Sequence, residues 1–215
     1  VREQDVAATG HLRVGVVNSI AKLITYRILA PVLSEHVDVR VICHEANLEP
    51  LLGELAIHQL DLVISDRKIP SELSVRAYHH HLGDSELAIF APQHKADAYE
   101  SQFPASLEAA PMLMPVQASP LRRSLDEWFE QHQVTPRVTA EFDDSALMKS
   151  FGEAGHGVFP APTAIADEVC AMYDVQLLGH ADISERYFAI SPERRVTHPA
   201  VRAITESARQ ILPLS

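Results

Sequence analysis

The sequence has few basic residues and cysteines, and it lacks long apolar runs and common enzyme motifs, each of which would point to a particular functional class. Basic residues are outnumbered, with 18 Lys and Arg against 29 Asp and Glu and a formal net charge of -11. A protein that binds duplex DNA needs a basic face to replace the counterions of the phosphates, so this chain is not expected to hold DNA by itself. No uncharged apolar run approaches the length of about 18 residues that a membrane helix needs, and we expect a soluble protein.

Cysteine is also scarce. Cys43 and Cys170 lie far apart, and the sequence has no CxxC pair. Both lie in apolar patterns, which favours buried free thiols over a disulfide and fits a reducing compartment, the cytoplasm. The first residues, Val1–Asp5, include neither an initiator Met nor the apolar core of a signal peptide, so we expect neither a natural start nor a leader.

Motifs that mark common enzyme classes are missing as well. The sequence has no G-x-S-x-G, no G-x-x-x-x-G-K, no H-E-x-x-H and no G-x-G-x-x-G. Gly152, Gly155 and Gly157 fall after a predicted helix and before a predicted strand, the reverse of the dinucleotide-binding order. We interpret them as a helix stop, and we expect neither a catalytic residue nor a cofactor.

What the sequence does contain is an alternation of strand-like and helix-like segments, with 47% hydrophobic residues to build a core. This alternation predicts an α/β fold with parallel sheets covered by helices. The first predicted strands are Leu12–Val17, Val37–Ile42 and Leu60–Ser65. The helices between them are predicted to bury Ile20, Leu23, Ile24, Ile28, Val32 and Leu33, and then Leu48, Leu51, Leu52 and Leu55 after an Asn47 N-cap.

The second part of the chain repeats this alternation. Its predicted strands are Tyr78–Leu82, Glu86–Phe90, Met112–Met114, Val138–Phe142, Val158–Phe159, Val175–Leu178 and Tyr187–Ile190. Ser119 and Pro120 are placed to begin a helix, as a capping residue and a proline at the first helical position. The predicted apolar helix faces are Leu121, Leu125, Trp128 and Phe129, then Ile165, Val169 and Met172 after a start at Thr163, and finally Val201, Ile204, Ala208 and Ile211 after a start near His198.

Small polar residues recur where the predicted strands end and helices begin. Helix N-termini present free N–H groups and the positive end of the helix dipole, and open α/β sheets bind ligands at the carboxyl ends of their strands. Any one of these residues alone is explained as a cap or turn residue. Their recurrence predicts a binding site that includes Asn18, Ser19, Asn47, Ser65, Asp66, Gln117, Ser119, Asp143 and Asp144.

The run His79-His80-His81 invites a metal site. Side chains alternate along a strand, so His79 and His81 share a face and His80 points away. No further Cys or His at metal-binding spacing supports a site, and we interpret the run as solvated strand histidines. The total of 12 histidines predicts that the net charge changes between about pH 5 and 7.

Three stretches together resemble a known family. They are Leu62-Val63-Ile64-Ser65-Asp66, the run from Glu141 to Phe151 (Glu-Phe-Asp-Asp-Ser-Ala-Leu-Met-Lys-Ser-Phe), and Gly157-Val158-Phe159-Pro160-Ala161-Pro162. With the alternation around them, they are similar to the effector-binding domain of LysR-type transcriptional regulators. Within that family, they resemble the branch that regulates sodium/proton antiporter genes.

The resemblance implies a fold, a further DNA-binding domain and an oligomeric state. It implies two Rossmann-like lobes joined by two crossover strands, as in type 2 periplasmic binding proteins, with residues 1–91 and 184–215 in lobe one and 92–183 in lobe two. It also implies an N-terminal winged helix-turn-helix that binds DNA and is not in this chain, with Val1–Gly10 as the tail of a linker helix. Homodimers or homotetramers would form, often through helices like Leu48–Leu55 and Leu121–Phe129.

The carboxylates bear on the identity of the effector. Capping explains one aspartate of the pair Asp143 and Asp144, and the second remains without a structural reason. Close carboxylates raise each other's pKa or hold a cation between them. With Asp66 and the carbonyl groups near Pro160, they provide the oxygen ligands that a hard cation such as sodium prefers. Arg67 and Lys68 compete for Asp66, and an organic effector in the same cleft stays equally open.

Two other functions share these features. A periplasmic-type solute-binding protein has the same two-lobed fold and would be exported. An α/β enzyme would use Asp143 or Asp144 as a general base, although no nucleophile or cofactor motif accompanies them.

Overall fold

The computed structural model describes residues 10–35, 38–73, 75–192 and 199–212. The predicted linker tail at Val1–Gly10 lies outside this range except for its last residue. The chain forms two compact units: one contains the described residues up to Asp84 and from Arg186 onward, and the other is Ser85–Glu185. Among the described residues, no helix combines the length and apolar character needed to cross a membrane.

Strands and helices alternate through most of the described chain, as the sequence predicts. The strands are β1 Gly10–Val17, β2 Val39–Ala46, β3 Leu62–Ser65, β4 Tyr78–Pro92, β5 Pro111–Pro115, β6 Arg137–Phe142, β7 Phe159–Pro162 and β8 Val175–Ser191. The helices are α1 Lys22–Glu35, α2 Leu48–Ala56, α3 Asp97–Glu100, α4 Pro120–Gln131, α5 Ser145–Glu153, α6 Ala166–Tyr173 and α7 Pro199–Ile211. Short 3₁₀ turns lie at Gln93–Lys95, Ala105–Leu107 and Thr163–Ile165.

The first unit is built on a parallel sheet. β1 pairs in parallel with β2 on one side and with β3 on the other, and β3 pairs antiparallel with the end of β8. β1 and β3 are buried, which is typical of strands covered on both faces. β2 is an edge strand and most of it is exposed. The parallel sheet that the alternation of strands and helices predicts is therefore confirmed in this unit.

The helices of the first unit bury most of the predicted apolar face. All four predicted leucines of α2 are at most 2% exposed, and in α1 Ile24, Ile28 and Val32 are fully buried. The prediction was wrong for Leu33, which is 55% exposed. Leu33 lies seven residues after Tyr26, which is 66% exposed, so the two share the outer face of the helix.

Two long strands replace two pairs of predicted short ones. Tyr78–Leu82 and Glu86–Phe90 are parts of the single strand β4, and the predicted strands beginning at Val175 and Tyr187 are parts of β8. The sequence Gly83-Asp84-Ser85 suggests a turn, but Gly83 has a φ of +146° inside the strand. A β-carbon at Gly83 would lie 2.3 Å from the carbonyl oxygen of Leu212, so the close approach of the Leu212 backbone requires glycine. β4 and β8 each run from one unit into the other.

The second unit has its own hydrophobic core and its own parallel pair, β5 with β6. Leu125, Trp128 and Phe129 of α4 pack into this core with Met112 and Met114 of β5, and the predicted face of α4 is confirmed. Met172 of α6 was predicted to be buried and is 59% exposed. The helix begins three residues later than predicted, after a 3₁₀ turn at Thr163–Ile165, and Met172 lies in its last turn.

Candidate functional site

Predicted site residues of the first unit come together at one edge of its sheet. β1, β2 and β3 are parallel, so their carboxyl ends share an edge. Val17 pairs with Ala46, and the backbone N–H of Asn18 donates to the carbonyl oxygen of Ala46 at 3.1 Å. This register places Asn18 and Ser19 beside Asn47, with Ser65 and Asp66 following the neighbouring strand β3.

Asp66 is engaged at both carboxylate oxygens. Ser19 Oγ donates to Asp66 Oδ2 at 2.6 Å, and Arg67 Nε donates to Asp66 Oδ1 at 2.9 Å. The Asp66 side chain is only 10% exposed. The predicted competition of Arg67 for this carboxylate therefore takes place, while Lys68 Nζ lies 5.9 Å from the ring centroid of Phe188 instead.

Ser65 shapes the same turn. Its side chain is fully buried, and its hydroxyl donates to the carbonyl oxygen of Arg67 at 2.7 Å and accepts from the N–H of Arg67 at 3.1 Å. Ser65 is thus a local turn residue that holds Arg67 beside Asp66. Asn47 differs from its prediction: it occupies the N-cap position of α2, but its side chain makes no capping hydrogen bond and is exposed. Its amide group remains available to a ligand.

Predicted residues of the second unit also share a sheet edge. Pro115 and Phe142 end the parallel strands β5 and β6 in register, and the N–H of Val116 donates to the carbonyl oxygen of Phe142 at 3.0 Å. Gln117 is exposed in the turn that follows β5. Ser119 occupies the N-cap position of α4 without a side-chain hydrogen bond to the cap, and Pro120 is the first helical residue, as predicted.

The two adjacent aspartates after β6 have different environments. Asp144 Oδ1 accepts hydrogen bonds from the N–H groups of Ala146 at 2.7 Å and Leu147 at 3.0 Å, so it is the N-cap of α5. Asp143 is exposed and makes no hydrogen bond or ion pair within the described part of the chain. The division into one capping and one unexplained aspartate is confirmed.

Pro160 lies on a third strand beside this edge. β7 pairs antiparallel with β4, where Pro160 is opposite Ile89, and it is joined to β5 by a parallel bridge between Met112 and Val158. Counting two residues onward from this bridge on both strands places Pro160 beside Met114. It is buried, so its contribution to a site is limited to its backbone.

Arg122 is a residue that the sequence analysis missed. Its side chain is 8% exposed, and Nη1 donates to Glu141 Oε1 at 2.5 Å and to the carbonyl oxygen of Pro115 at 3.0 Å. Nε bonds both carboxylate oxygens of Asp126, at 3.0 and 3.1 Å. Desolvation lowers the pKa of Arg122, but the hydrogen bonds to Glu141 and Asp126 outweigh it and raise the pKa. The spacing of Arg122 and Asp126 by four residues was the available signal.

Lys149 and Tyr173 were also missed near Asp144. Lys149 is 3% exposed and its Nζ donates to the carbonyl oxygen of Ser145 at 3.0 Å. Burial raises the pKa of Tyr173, with further contributions from the negative charges of Glu153 and Asp144. Lys149 stands within the motif that carries the family resemblance, but lysine on a predicted helix gives no sign that it will be buried.

The histidine run alternates as predicted. The rings of His79 and His81 both contact Phe188, with centroid distances of 6.0 and 5.5 Å, while His80 Nε2 lies 3.2 Å from Ser191 Oγ. His81 is not simply solvated, because its Nε2 is 2.6 Å from the buried carboxylate of Asp84. No group of three or more His, Cys, Asp or Glu side chains suited to a metal ion occurs among the described residues.

The cysteines are both free, as predicted, but not both buried. Cys170 is half-buried and Cys43 is exposed. Cys43 lies on the edge strand β2, whose outer side is open, and this explains the error. Desolvation by neighbouring atoms nevertheless raises the pKa of the Cys43 thiol, Glu45 raises it further, and Lys22 lowers it.

The fold and the two polar sheet edges define a class of ligand-binding α/β protein, and sequence comparison identifies the family. Residues 7–213 match the model of the LysR substrate binding domain, so the chain belongs to the LysR substrate-binding-domain family. This assignment replaces the alternative of an exported solute-binding protein.

Two curated relatives are transcriptional regulators. The chain is 33% identical over 192 residues to the Escherichia coli K12 transcriptional activator protein NhaR, covering 89% of this chain and 63% of that protein. It is 26% identical over 200 residues to the RuBisCO operon transcriptional regulator of Acidithiobacillus ferrooxidans, covering 92% of this chain and 63% of that protein. The chain thus spans 63% of the length of these relatives.

Solved structures of LysR regulatory domains have the same fold. HinK, a LysR family transcriptional regulator from Pseudomonas aeruginosa, has a TM-score of 0.73 and 18% identity, covering 97% of this chain and 73% of that one. The reduced regulatory domain of OxyR2 from Vibrio vulnificus has a TM-score of 0.70 and 14% identity, covering 99% and 100%. The predicted fold class, the α/β fold of type 2 periplasmic binding proteins, is confirmed.

Proposed function

We propose that this chain is the effector-sensing and oligomerisation part of a LysR-type DNA-binding transcriptional regulator in the cytoplasm. In this proposal, the complete protein activates a sodium/proton antiporter gene in response to sodium or pH, and contacts DNA through an N-terminal winged helix-turn-helix. The observation that carries it is the 33% identity over 192 residues to the transcriptional activator NhaR. Residues 1–91 with 184–215 and residues 92–183 form the two effector-binding lobes of the proposal.

The proposed effector site consists of the polar residues at the carboxyl ends of the parallel strands. In the first unit, Ser19, Asp66 and Arg67 form a bonded cluster, beside which the exposed amide of Asn47 is uncommitted. In the second unit, Gln117 and Asp143 are exposed on adjacent turns. The complete proposed set is Asn18, Ser19, Asn47, Ser65, Asp66, Gln117, Ser119, Asp143, Asp144 and Pro160.

The charges decide which carboxylate a sodium ion would use. Arg67 compensates the charge of Asp66 at 2.9 Å, which makes Asp66 a poor cation ligand. Asp144 uses Oδ1 for the cap of α5. The exposed carboxylate of Asp143 is the group with no competing partner in the described chain, and it is the proposed first ligand for sodium. An organic effector would instead use an uncommitted amide, that of Asn47 in the first unit or that of Gln117 in the second.

The family resemblance implies subunit contacts through helices like Leu48–Leu55 and Leu121–Phe129. Both helices bury their apolar face within their own unit, so their part in such a contact would come from their exposed side chains. α1 exposes Tyr26 and Leu33, and the neighbouring edge strand β2 exposes Ile42 at 41%. We place one side of the subunit contact on Tyr26, Leu33 and Ile42, since exposed apolar groups on an edge strand are normally covered.

Thermal and chemical unfolding of this chain in sodium against potassium, at fixed ionic strength, tests the sodium proposal. A ligand that binds only the native state stabilises it by RT ln(1 + [L]/Kd), about 1.4 kcal/mol at a concentration of about ten times Kd. We expect selective stabilisation by sodium over potassium. The double variant D143N/D144N should lose the sodium-dependent increment, and D97N, which changes an exposed carboxylate of α3, should retain it.

The result also separates the two kinds of effector. Equal stability in sodium and potassium for the wild-type chain would refute direct sodium binding by this chain and favour an organic effector. An increment that survives in D143N/D144N would place sodium elsewhere. Loss of the helix cap lowers the baseline stability of the double variant, so the quantity to compare is the sodium-minus-potassium difference within each variant.

A further inference from the structure

Arg67 is held in a fixed orientation by groups that are themselves buried. The hydroxyl of Ser65, which is fully buried, donates to the carbonyl oxygen of Arg67 at 2.7 Å and accepts from its N–H at 3.1 Å. In the side chain, Arg67 Nε donates to Asp66 Oδ1 at 2.9 Å, and Ser19 Oγ donates to Asp66 Oδ2 at 2.6 Å. The backbone and the guanidinium group of Arg67 are therefore both restrained before any ligand binds.

The outer edge of the Arg67 guanidinium remains uncommitted. A guanidinium has five N–H donors in a planar fork, and here only Nε is used. Nη1 and Nη2 of Arg67 make no hydrogen bond or ion pair with any residue that the structure describes. The Arg67 side chain is 34% exposed and that of Asp66 is 10% exposed. The ion pair therefore exposes its cationic partner and buries its anionic partner.

Other arginines of the first unit show that this combination is not a general feature of surface arginines. Arg13 uses both Nε and Nη2 for the carboxylate of Asp61, so its fork is occupied. Arg76 is exposed and has no partner among the described residues, but no side chain orients it. Arg67 is both oriented and available, which is the condition for binding a carboxylate through two parallel hydrogen bonds.

Two uncommitted amides lie at the same edge of the sheet. Asn18 follows β1 and Asn47 follows β2, and β1 lies between β2 and β3 in the sheet. Neighbouring strands are about 4.8 Å apart, so the turn after β3 and Asn47 are separated by roughly 10 Å, with Asn18 between them. Neither amide makes a side-chain hydrogen bond within the described residues. A small organic molecule bound to Arg67 is therefore within reach of a second hydrogen-bonding group.

The charge at this edge favours an anion. Asp66 is balanced by Arg67, and Glu45 is balanced by Lys22, which lies 2.7 Å away. Lys68 adds one positive charge in a chain whose formal net charge is -11. The 14-residue helix α1 also begins here, and the positive end of its dipole adds to the attraction for an anion.

We propose that the first-unit part of the effector site binds an organic carboxylate, and that Arg67 is the residue that recognises it. The carboxylate of the ligand accepts hydrogen bonds from Nη1 and Nη2 of Arg67, and the amides of Asn18 and Asn47 bind the rest of the ligand. This inference rests on the proposed effector site and names the chemistry that its first-unit part takes. It does not depend on the sodium response assigned to Asp143.

Thermal unfolding in potassium salts tests the inference without sodium. The chain is titrated with acetate, succinate and benzoate at constant ionic strength against potassium chloride, and in parallel with acetamide, succinamide and benzamide as uncharged isosteres. A ligand that binds only the native state stabilises it by mass action. Because many anions also stabilise proteins by exclusion from their surface, the quantity compared is the saturable part of the shift. We expect a saturable shift with at least one carboxylate and none with its amide.

Two substitutions of Arg67 test its role. R67Q should weaken carboxylate binding by about tenfold or more, since a hydrogen bond between charged groups is worth about that factor. R67K keeps the charge beside Asp66 but lacks the planar fork, so it should bind more weakly than the wild-type chain and more tightly than R67Q. R67Q leaves Asp66 without its cation and lowers the baseline stability. The ligand-dependent increment within each variant is therefore compared, and R67K provides the result if R67Q does not fold.

The control variant is R76Q, which removes an exposed arginine of the same unit and should bind like the wild-type chain. The absence of a saturable shift with all three carboxylates, equal shifts with a carboxylate and its amide, or wild-type affinity in R67K and R67Q would each overturn the inference. Equal weakening in R76Q would also overturn it, because binding would then follow the overall charge. A sodium-minus-potassium difference without a carboxylate response would refute this inference and leave the sodium proposal standing, and the reverse result would refute only the sodium proposal.

Discussion

Arg122 and Glu141 form a 2.5 Å ion pair that joins the first turn of α4 to β6. The same guanidinium nitrogen holds the carbonyl oxygen of Pro115, the last residue of β5. One buried side chain therefore fixes the ends of both strands from which Gln117 and Asp143 emerge. Arg122 is therefore a positioning residue for the proposed effector-site residues of the second unit.

Replacing Arg122 should lower the stability of the chain. In R122M the bonds to Glu141, Asp126 and Pro115 are lost, and we expect the free energy of unfolding in urea to fall by about 1–3 kcal/mol, the range for hydrogen bonds to charged groups. The matched control is R123M, because Arg123 is exposed and makes no hydrogen bond or ion pair within the described residues. R123M should change stability by less than about 0.5 kcal/mol. Equal effects of the two substitutions would contradict the role given to Arg122.

Substitutions of the two adjacent aspartates should have different effects on the stability of the chain. D144N keeps an oxygen acceptor at the N-cap but loses the charge, whereas D144A loses both, so we expect D144A to cost about 1 kcal/mol and D144N less. D143A should be close to neutral, because the Asp143 side chain is exposed and has no partner within the described chain. Urea unfolding of the three variants, followed by circular dichroism, gives the order. A cost for D143A as large as that for D144A would disprove the capping assignment.

Tyr173 should make the second unit sensitive to alkaline pH. Burial, together with Glu153 and Asp144, raises its pKa above the value of 10.0 that applies to the unfolded chain. The folded protein therefore retains a proton that the unfolded chain releases, and the associated stability is present below about pH 10 and is lost as pH rises through the folded pKa. We expect Y173F to reduce the loss of stability above about pH 10. Y78F, which changes a more exposed tyrosine in β4, serves as the control, and equal slopes for Y173F and the wild-type chain would refute the prediction.

The proposed subunit contact predicts a specific loss of self-association. Tyr26 and Leu33 lie on one face of α1, and a carboxylate placed there would be buried without a partner in the contact. We expect L33E to weaken self-association by about tenfold or more, since truncation of a central contact residue costs above about 1 kcal/mol, with little change in the unfolding temperature. Sedimentation velocity measures the association. I57E, at an exposed apolar position outside this surface, should associate normally, and the surface is misplaced if both variants weaken association equally.

The sequence was sufficient for elements whose signal is local. The four leucines of α2 lie at helical spacing and are all buried, and Asp144 lies at the cap position that its place after β6 predicts. The positive φ of +84° at Gly155, just after α5, agrees with the predicted helix stop. In each case, the residues that determine the local structure lie within one turn or one helical repeat.

The sequence was not sufficient where the cause lies far along the chain. Gly83 reads as a turn residue until Leu212 is known to pack against it. Arg122 and Glu141 are separated by 19 positions, and only the tertiary fold brings them into an ion pair. The exposure of Leu33 likewise depends on which side of α1 packs against the sheet and α7. The apolar pattern of α1 alone does not show which of its apolar side chains lie on that side.

The contact between Gly83 and Leu212 has a consequence for how this chain can diverge. A side chain at position 83 would collide with the backbone of Leu212, the residue that follows α7, so the collision depends on the path of the chain and not on the identity of the residue at position 212. Residues of similar volume can therefore replace Leu212. Position 83 can change only in a descendant whose final helix ends earlier or turns away. A gain of any β-carbon at position 83 would thus mark a lineage in which the chain follows a different path after the final helix.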